Sequence, residues 1–197
     1  MRSHQNYINK NQFRSVKDLL LKALKEITIQ NPTQAIDLGC GLGIETAYLA
    51  NAFDWPVLAI DGNAELLAMA KNKIKDSQKT QVEFLHCPFE YLANLPSCDF
   101  LYSYHSLHFI DDAHFERVWT MMLSALKPNG VIALSLFGPE DAMVKKKHAL
   151  GISEDELRKR LKNLNIKYIN SVKERGQEIL NYIEVIAIKN NSIAPQI

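Results

Sequence analysis

Asp37-Leu38-Gly39-Cys40-Gly41-Leu42-Gly43 is the stretch that decides how this chain folds. Residues 34–38, which lead into it, read as a short strand, and residues 43–52 behind it read as a helix. Glycines at such a junction let the backbone turn sharply and let a ligand approach without meeting a Cβ. In an open α/β sheet, the crevice beyond the carboxyl ends of the strands is where ligands bind.

Outward from the glycines the alternation continues. Residues 56–60 read as a buried strand, and Asn63 caps a helix running to about Lys75. Residues 82–85 read as a third strand, 89–93 as a short helical turn and 99–104 as a fourth strand. Residues 111–126 read as a helix that stops at the turn signal Lys127-Pro128-Asn129-Gly130, before an uncharged fifth strand over 131–137. Ser153 caps a charged helix to about Asn163, with Glu156 at the capping-box position. Strands at 166–173 and 180–188 are separated only by 174–179, so they pair as an antiparallel hairpin. Upstream, Phe13, Val16, Leu20, Leu24 and Ile27 recur at helical spacing, and residues 13–27 read as one helix before the Asn31-Pro32 break. Strands alternating with helices imply a parallel sheet, which the hairpin makes mixed. The fold class is therefore α/β, doubly wound, with helices on both faces and an antiparallel edge.

The 197 residues fit a single domain over 1–197: an N-terminal helical lid over 1–30, a core over 31–190 and a tail over 191–197. A chain that is 47% hydrophobic and 23% charged matches an ordinary globular protein, and a net charge of +1 supplies no global field for nucleic acid or an anionic membrane. Three cysteines, with no C-x-x-C pair, argue against a disulfide framework or a zinc site and for a reducing, cytoplasmic compartment. The first ten residues are polar, unlike a signal peptide, and no apolar run is long enough to span a bilayer. The expected state is a monomer or homodimer.

Three features say what the crevice holds. The spacing is G-x-G-x-G, not the G-x-G-x-x-G of a dinucleotide pyrophosphate site. Asp37 stands just ahead of the glycines, where it repels a phosphate and welcomes a cation. Asp61 ends the second strand roughly twenty residues on, where a carboxylate accepts both hydrogens of a ribose diol. A nucleoside with a cationic tail satisfies all three, and S-adenosylmethionine has a ribose, a sulfonium and an α-amino group.

On Ala35 to Gly43, Ala59-Ile60-Asp61, Asp99 to Phe109, and Leu126-Lys127-Pro128-Asn129-Gly130 leading into Phe137-Gly138, the chain resembles the class I S-adenosylmethionine-dependent methyltransferases. It looks most like their small bacterial tellurite-resistance-like group. The resemblance implies a Rossmann-like, seven-stranded sheet with the hairpin as its last two strands. It implies that Asp37, Gly39, Cys40, Gly41 and Gly43 surround the methionine part of the cofactor and that Asp61, Gly62 and Asn63 hold the ribose. Phe89 would lie against the adenine, and Ser103 or Tyr104 would offer a carbonyl to the amino group. The Asp that many members place after the third strand is absent from His86-Cys87-Pro88-Phe89-Glu90, so either Glu90 takes its place or no residue does. Methyl transfer would leave S-adenosylhomocysteine as product.

In-line methyl transfer disperses charge, so alignment is the protein's main contribution, and a base is needed only where the nucleophile must lose a proton. His105, then His108, with Tyr104, follow the fourth strand and are the catalytic candidates. The two histidines have no evident third ligand, so no metal is expected. Tyr7 and Arg14 are placed to close over the cofactor. The expected acceptor is a small molecule. A methyltransferase acting on a macromolecule, or a regulator that binds the cofactor without turnover, are the alternatives.

Overall fold

The strand ahead of the glycines is buried along its whole length, although it carries a carboxylate. This strand, β1 (Ala35–Leu38), lies in the middle of a seven-stranded sheet. The computed structural model describes residues 4–176 and 178–191. Of the expected tail, only residue 191 falls inside that range.

The elements follow in the order α1 (His4–Asn11), α2 (Asp18–Lys25), β1, α3 (Ile44–Phe53), β2 (Val57–Asp61), α4 (Ala64–Lys71), β3 (Val82–His86) and β4 (Cys98–Tyr104). Then come α5 (Asp112–Ala125), β5 (Leu126–Phe137), α6 (Ala142–Lys145), α7 (Glu154–Arg160), β6 (Leu164–Arg175) and β7 (Ile179–Lys189). The sheet order is β3-β2-β1-β4-β5-β7-β6, and β7 alone runs against its neighbours. The hairpin is as the spacing predicts, but β7 pairs with β5, so the reversed strand lies one place in from the edge. The order turns back between β1 and β4, which leaves the crevice for a ligand above their carboxyl ends.

Period-two alternation splits the interior into two layers. Ile36, Leu101, Ile132, Leu134 and Val185 face a layer closed by Val118, Trp119 and Met122 of α5 and Leu157 of α7. Ala35, Phe100, Tyr102, Val131 and Ile186 face the other, closed by Leu19 and Leu20 of α2, Leu49 of α3 and Leu67 of α4. Strands covered on both faces read as continuous apolar runs, which is why β4 and β5 were legible.

Side-chain caps form at three expected helix starts. Asn63 accepts from Leu66 N at 3.0 Å, Asp111 from His114 N at 3.0 Å and Ser153 from Glu156 N at 3.2 Å. The capping box is only half made, because the Glu156 carboxylate is taken by Arg160 at 2.8 Å. The Lys127–Gly130 turn is folded into β5 as a bulge: Cys98 pairs with Leu126 and Phe100 with Val131, with Asn129 left-handed at φ +62°.

Two boundaries depart from the periodicity. The expected helix over 13–27 is not continuous; residues 12–17 are non-helical and Phe13 is 91% exposed. The Arg14 side chain and the Lys17 backbone are drawn to Glu45 instead, and Lys17 is extended. The expected helix to Lys75 stops at Lys71, because the Asn51 side chain takes the Lys73 carbonyl and the Lys75 N–H.

Candidate functional site

The crevice is built from backbone first. Gly39, Gly41 and Gly43 are all left-handed, with φ of +81°, +52° and +67°. A Cβ on Gly39 would stand 2.2 Å from Ser106 Oγ and 3.2 Å from Phe89 Cζ, and one on Gly41 would stand 2.7 Å from Tyr7 Oη. The loop is therefore a bare cradle against which Ser106, Phe89 and Tyr7 lie directly. The Ser106 hydroxyl donates to Gly39 O at 3.0 Å, with Tyr104 O a second acceptor at 3.2 Å, tying the end of β4 to the loop.

Two carboxylates flank the loop. Asp61 closes β2 and accepts from Gly41 N through Oδ2 and from Asn63 N through Oδ1, each at 2.8 Å. Asp37 is almost fully buried, and its Oδ2 accepts from Thr46 Oγ1 at 2.5 Å. Burial pushes the Asp37 carboxyl up to about 7; the Thr46 hydrogen bond opposes this, and Glu45 and Asp61 add to it. A cation placed beside it would restore its charge. Cys40 is buried in the loop, and burial drives its thiol far above the usual range, so it is not a thiolate nucleophile.

Further round the rim, Phe89 and Glu90 sit half-buried in a single 3₁₀ turn, Phe89–Tyr91. Gly62 lies close under Pro88, where a Cβ would be 3.3 Å from Pro88 Cα. Ser103 is fully buried and donates to Leu38 O at 2.7 Å; its side chain joins β4 to β1 and leaves only its backbone for a ligand.

The catalytic candidates are brought together but are not equivalent. Tyr104 donates to Glu184 Oε1 at 3.4 Å, and Lys17 Nζ lies 5.1 Å from its ring centre. His105 follows at φ +52°, a conformation that costs a non-glycine residue about 1–3 kcal/mol and gathers at functional sites. Its ring meets those of Tyr104 at 4.3 Å, Tyr182 at 4.9 Å and Phe137 at 5.6 Å. Burial, with the charges of Lys17 and Arg14, holds His105 down at about 4, so it is neutral at pH 7. His108 is 1% exposed, stacks on Phe137 at 3.5 Å and has no hydrogen-bond partner on either ring nitrogen among the described residues. Burial and the neighbouring His105 hold it down at about 2. His105 thus keeps part of its surface open, whereas His108 is closed over. A separate cavity of about 280 Å³, lined by His108, Phe115, Leu136, Leu150, Ile152 and Arg160, touches none of the glycine loop.

The N-terminal segment lies over the loop. Ile8 packs on Leu42 and Leu66, and Lys73 Nζ donates to Gln12 O at 3.2 Å. Arg14 makes a bidentate pair with the buried Glu45 carboxylate at 2.6 and 2.7 Å. Sequence reasoning passes over Glu45, Thr46 and Arg117, whose partners are 9 to 31 positions away. Only Thr46 carried a local signal, as a polar residue in the first turn of the helix after the glycines.

Over residues 35–130 the chain matches the family described as methyltransferase domain. That span runs from β1 through the glycine loop, Asp61 and the end of β4 to the bulge of β5. Trans-aconitate 2-methyltransferase of Deinococcus radiodurans is 31% identical over 127 residues, 64% of this chain and 46% of the relative. The chain thus spans less than half the length of that curated relative. Among solved structures, TehB from Haemophilus influenzae superposes with a TM-score of 0.74 at 15% identity, over 93% of this chain and 66% of the other. The N-methyltransferase NodS from Bradyrhizobium japonicum, solved with S-adenosyl-L-homocysteine, superposes with a TM-score of 0.69 at 12% identity, over 86% and 85%. At such identities the likeness to these methyltransferases is one of fold, and function rests on the site.

Proposed function

We propose that this chain is an S-adenosylmethionine-dependent methyltransferase (EC 2.1.1 class) that acts on a small-molecule acceptor. The residues present fit the cofactor. Each Asp61 oxygen spends one acceptor site on a backbone N–H and keeps another, which leaves the carboxylate able to take both hydroxyls of a ribose diol. This arrangement of Asp61 beside the bare glycine cradle carries the reading. Asp37, Gly39, Gly41 and Gly43 would surround the methionine part, with Gly62 and Asn63 beside the ribose and Phe89 and Glu90 beside the adenine. The backbone of Ser103 or Tyr104 would serve the amino group.

When bound, S-adenosylmethionine supplies an electrophilic methyl group on a positively charged sulfur. The chain's own residues hold, align and cover. Tyr104, His105, Phe137 and Tyr182 form an aromatic wall where the acceptor would stand. His105, neutral at pH 7, accepts a hydrogen bond or proton from the acceptor on its free ring nitrogen. The described part of residues 1–30 acts as a lid on the core, with Tyr7 against Gly41 and Arg14 anchored on Glu45. Small-molecule acceptors in the names of the relatives support the acceptor class, and the bacterial source of those relatives with three free thiols supports a bacterial, cytoplasmic setting.

The test is calorimetric titration with S-adenosylmethionine on the wild type, Asp61→Ala and Asp61→Asn. The expected result is micromolar binding that Asp61→Ala weakens by tenfold or more, about 1.4 kcal/mol, with Asp61→Asn between the two. A folded wild type that does not bind overturns the reading.

A further inference from the structure

The adenine side of the proposed crevice is a short segment whose Leu92 is buried in the core and whose backbone is closed by two turn hydrogen bonds, Tyr91 N to Pro88 O and Leu92 N to Phe89 O. Residues 87–97 link β3 to β4 and contain one 3₁₀ turn. Phe89 of that turn reaches the glycine loop, its Cζ 3.2 Å from where a Gly39 Cβ would stand. From the opposite side the segment meets Arg117, an exposed residue on the second turn of α5. Its guanidinium donates to three backbone carbonyls of the one segment: Phe89 O at 3.1 Å, Glu90 O at 2.8 Å and Leu92 O. Among the described residues it has no carboxylate partner within ion-pair distance.

We infer that Arg117 is the positioning residue of the cofactor crevice: it sets where the Phe89–Leu92 wall stands relative to the glycine loop. A planar guanidinium has five donors in a fixed fork, so it can hold three carbonyls in one geometry. Bonds from a charged donor are about twice as strong as neutral ones. The Phe89, Glu90 and Leu92 carbonyls turn to Arg117, the Tyr91 and Leu92 N–H groups are spent inside the turn on Pro88 O and Phe89 O, and the Phe89 ring is what the segment presents to the glycine loop. A lysine keeps the charge but not the fork, and holds fewer of the three carbonyls. Arg117 touches no ligand in this arrangement and acts through the wall alone. The inference rests on the proposed cofactor reading.

The experiment titrates S-adenosylhomocysteine into the wild type, Arg117→Ala and Arg117→Lys by calorimetry. Amide hydrogen exchange of each protein, without ligand, is followed in parallel by mass spectrometry. The expected result is a Kd raised about tenfold in Arg117→Ala, equivalent to about 1.4 kcal/mol, and by less in Arg117→Lys. Exchange should quicken over 89–92 while β1, β4 and β5 keep their protection. Wild-type affinity in Arg117→Ala overturns the inference, as does exchange that quickens throughout the chain and not over 89–92 in particular. A wild type that fails to bind removes the cofactor reading and the inference with it. That failure is distinguishable, because it appears before any substitution is made.

Discussion

Gly43→Ala tests the physical claim on which the crevice depends, that α3 and α4 meet the loop with no room for a methyl group. Gly43 caps α3 in the left-handed region at φ +67°, and an added Cβ would lie 2.5 Å from Ala70 Cβ and 3.0 Å from Ala70 Cα in α4. The left-handed conformation costs an L-residue about 1–2 kcal/mol. Pushing a methyl group into a packed helix contact costs about 1–3 kcal/mol more. The sum is about 2–5 kcal/mol, or a fall in Tm of about 4–20 °C for a chain of this length. The two contributions can be separated. Ala70→Gly by itself should cost about 1 kcal/mol from helix propensity. In the double variant it removes the nearer contact and leaves the backbone strain, so the pair should be less destabilised than the sum by about 1–2 kcal/mol. Urea unfolding of the four proteins closes the cycle. If the two substitutions add within about 0.5 kcal/mol, the cost is not at this contact; if Gly43→Ala is neutral, the loop does not need its left-handed turn.

Two further predictions concern charge. Arg14→Ala should leave the Glu45 carboxylate, 4% exposed, with only the Lys17 N–H among the described residues, at a cost of about 3 kcal/mol by urea unfolding; a change below about 0.5 kcal/mol would mean that the pair does not hold the N-terminal segment. Burial holds His105 at about 4 in the folded chain against the usual 6.5, so the unfolded chain takes up that proton first and stability falls as pH drops from about 6.5 to 4. His108, held at about 2, steepens this fall, while Asp37, raised to about 7, opposes it. His105→Asn, which tolerates the left-handed backbone, isolates one residue's share. It should flatten the stability–pH curve between 4 and 6.5 by one proton's slope, about 3 kcal/mol over the window, and an unchanged slope would show that His105 is not buried as a neutral ring.

The sheet, the glycine loop and the two acids were legible in the sequence because each rests on local chemistry. A doubly covered strand must be apolar along its length, a left-handed turn after it calls for glycine, and a strand-ending acid lies beside the loop by register: Asp37 pairs with Ala59 and Leu38 with Ile60, which places Asp61 one step beyond. Helix starts at Asn63, Asp111 and Ser153 were legible for the same reason, since the capping side chain is within three residues of the N–H it accepts. What only the tertiary structure decided involves partners far apart in the chain. Glu45 draws in Arg14 and Lys17 and so breaks the helix that the apolar spacing predicts over 13–27. Phe137 stacks over His108 at 3.5 Å and also meets the His105 ring at 5.6 Å, so a residue some thirty positions on covers both histidines. Arg117 reaches back 25 to 28 positions to the Phe89–Leu92 turn. Periodicity and capping report on a residue's own turn or strand; desolvation and long-range hydrogen bonds exist only once the sheet has brought distant residues to the same crevice.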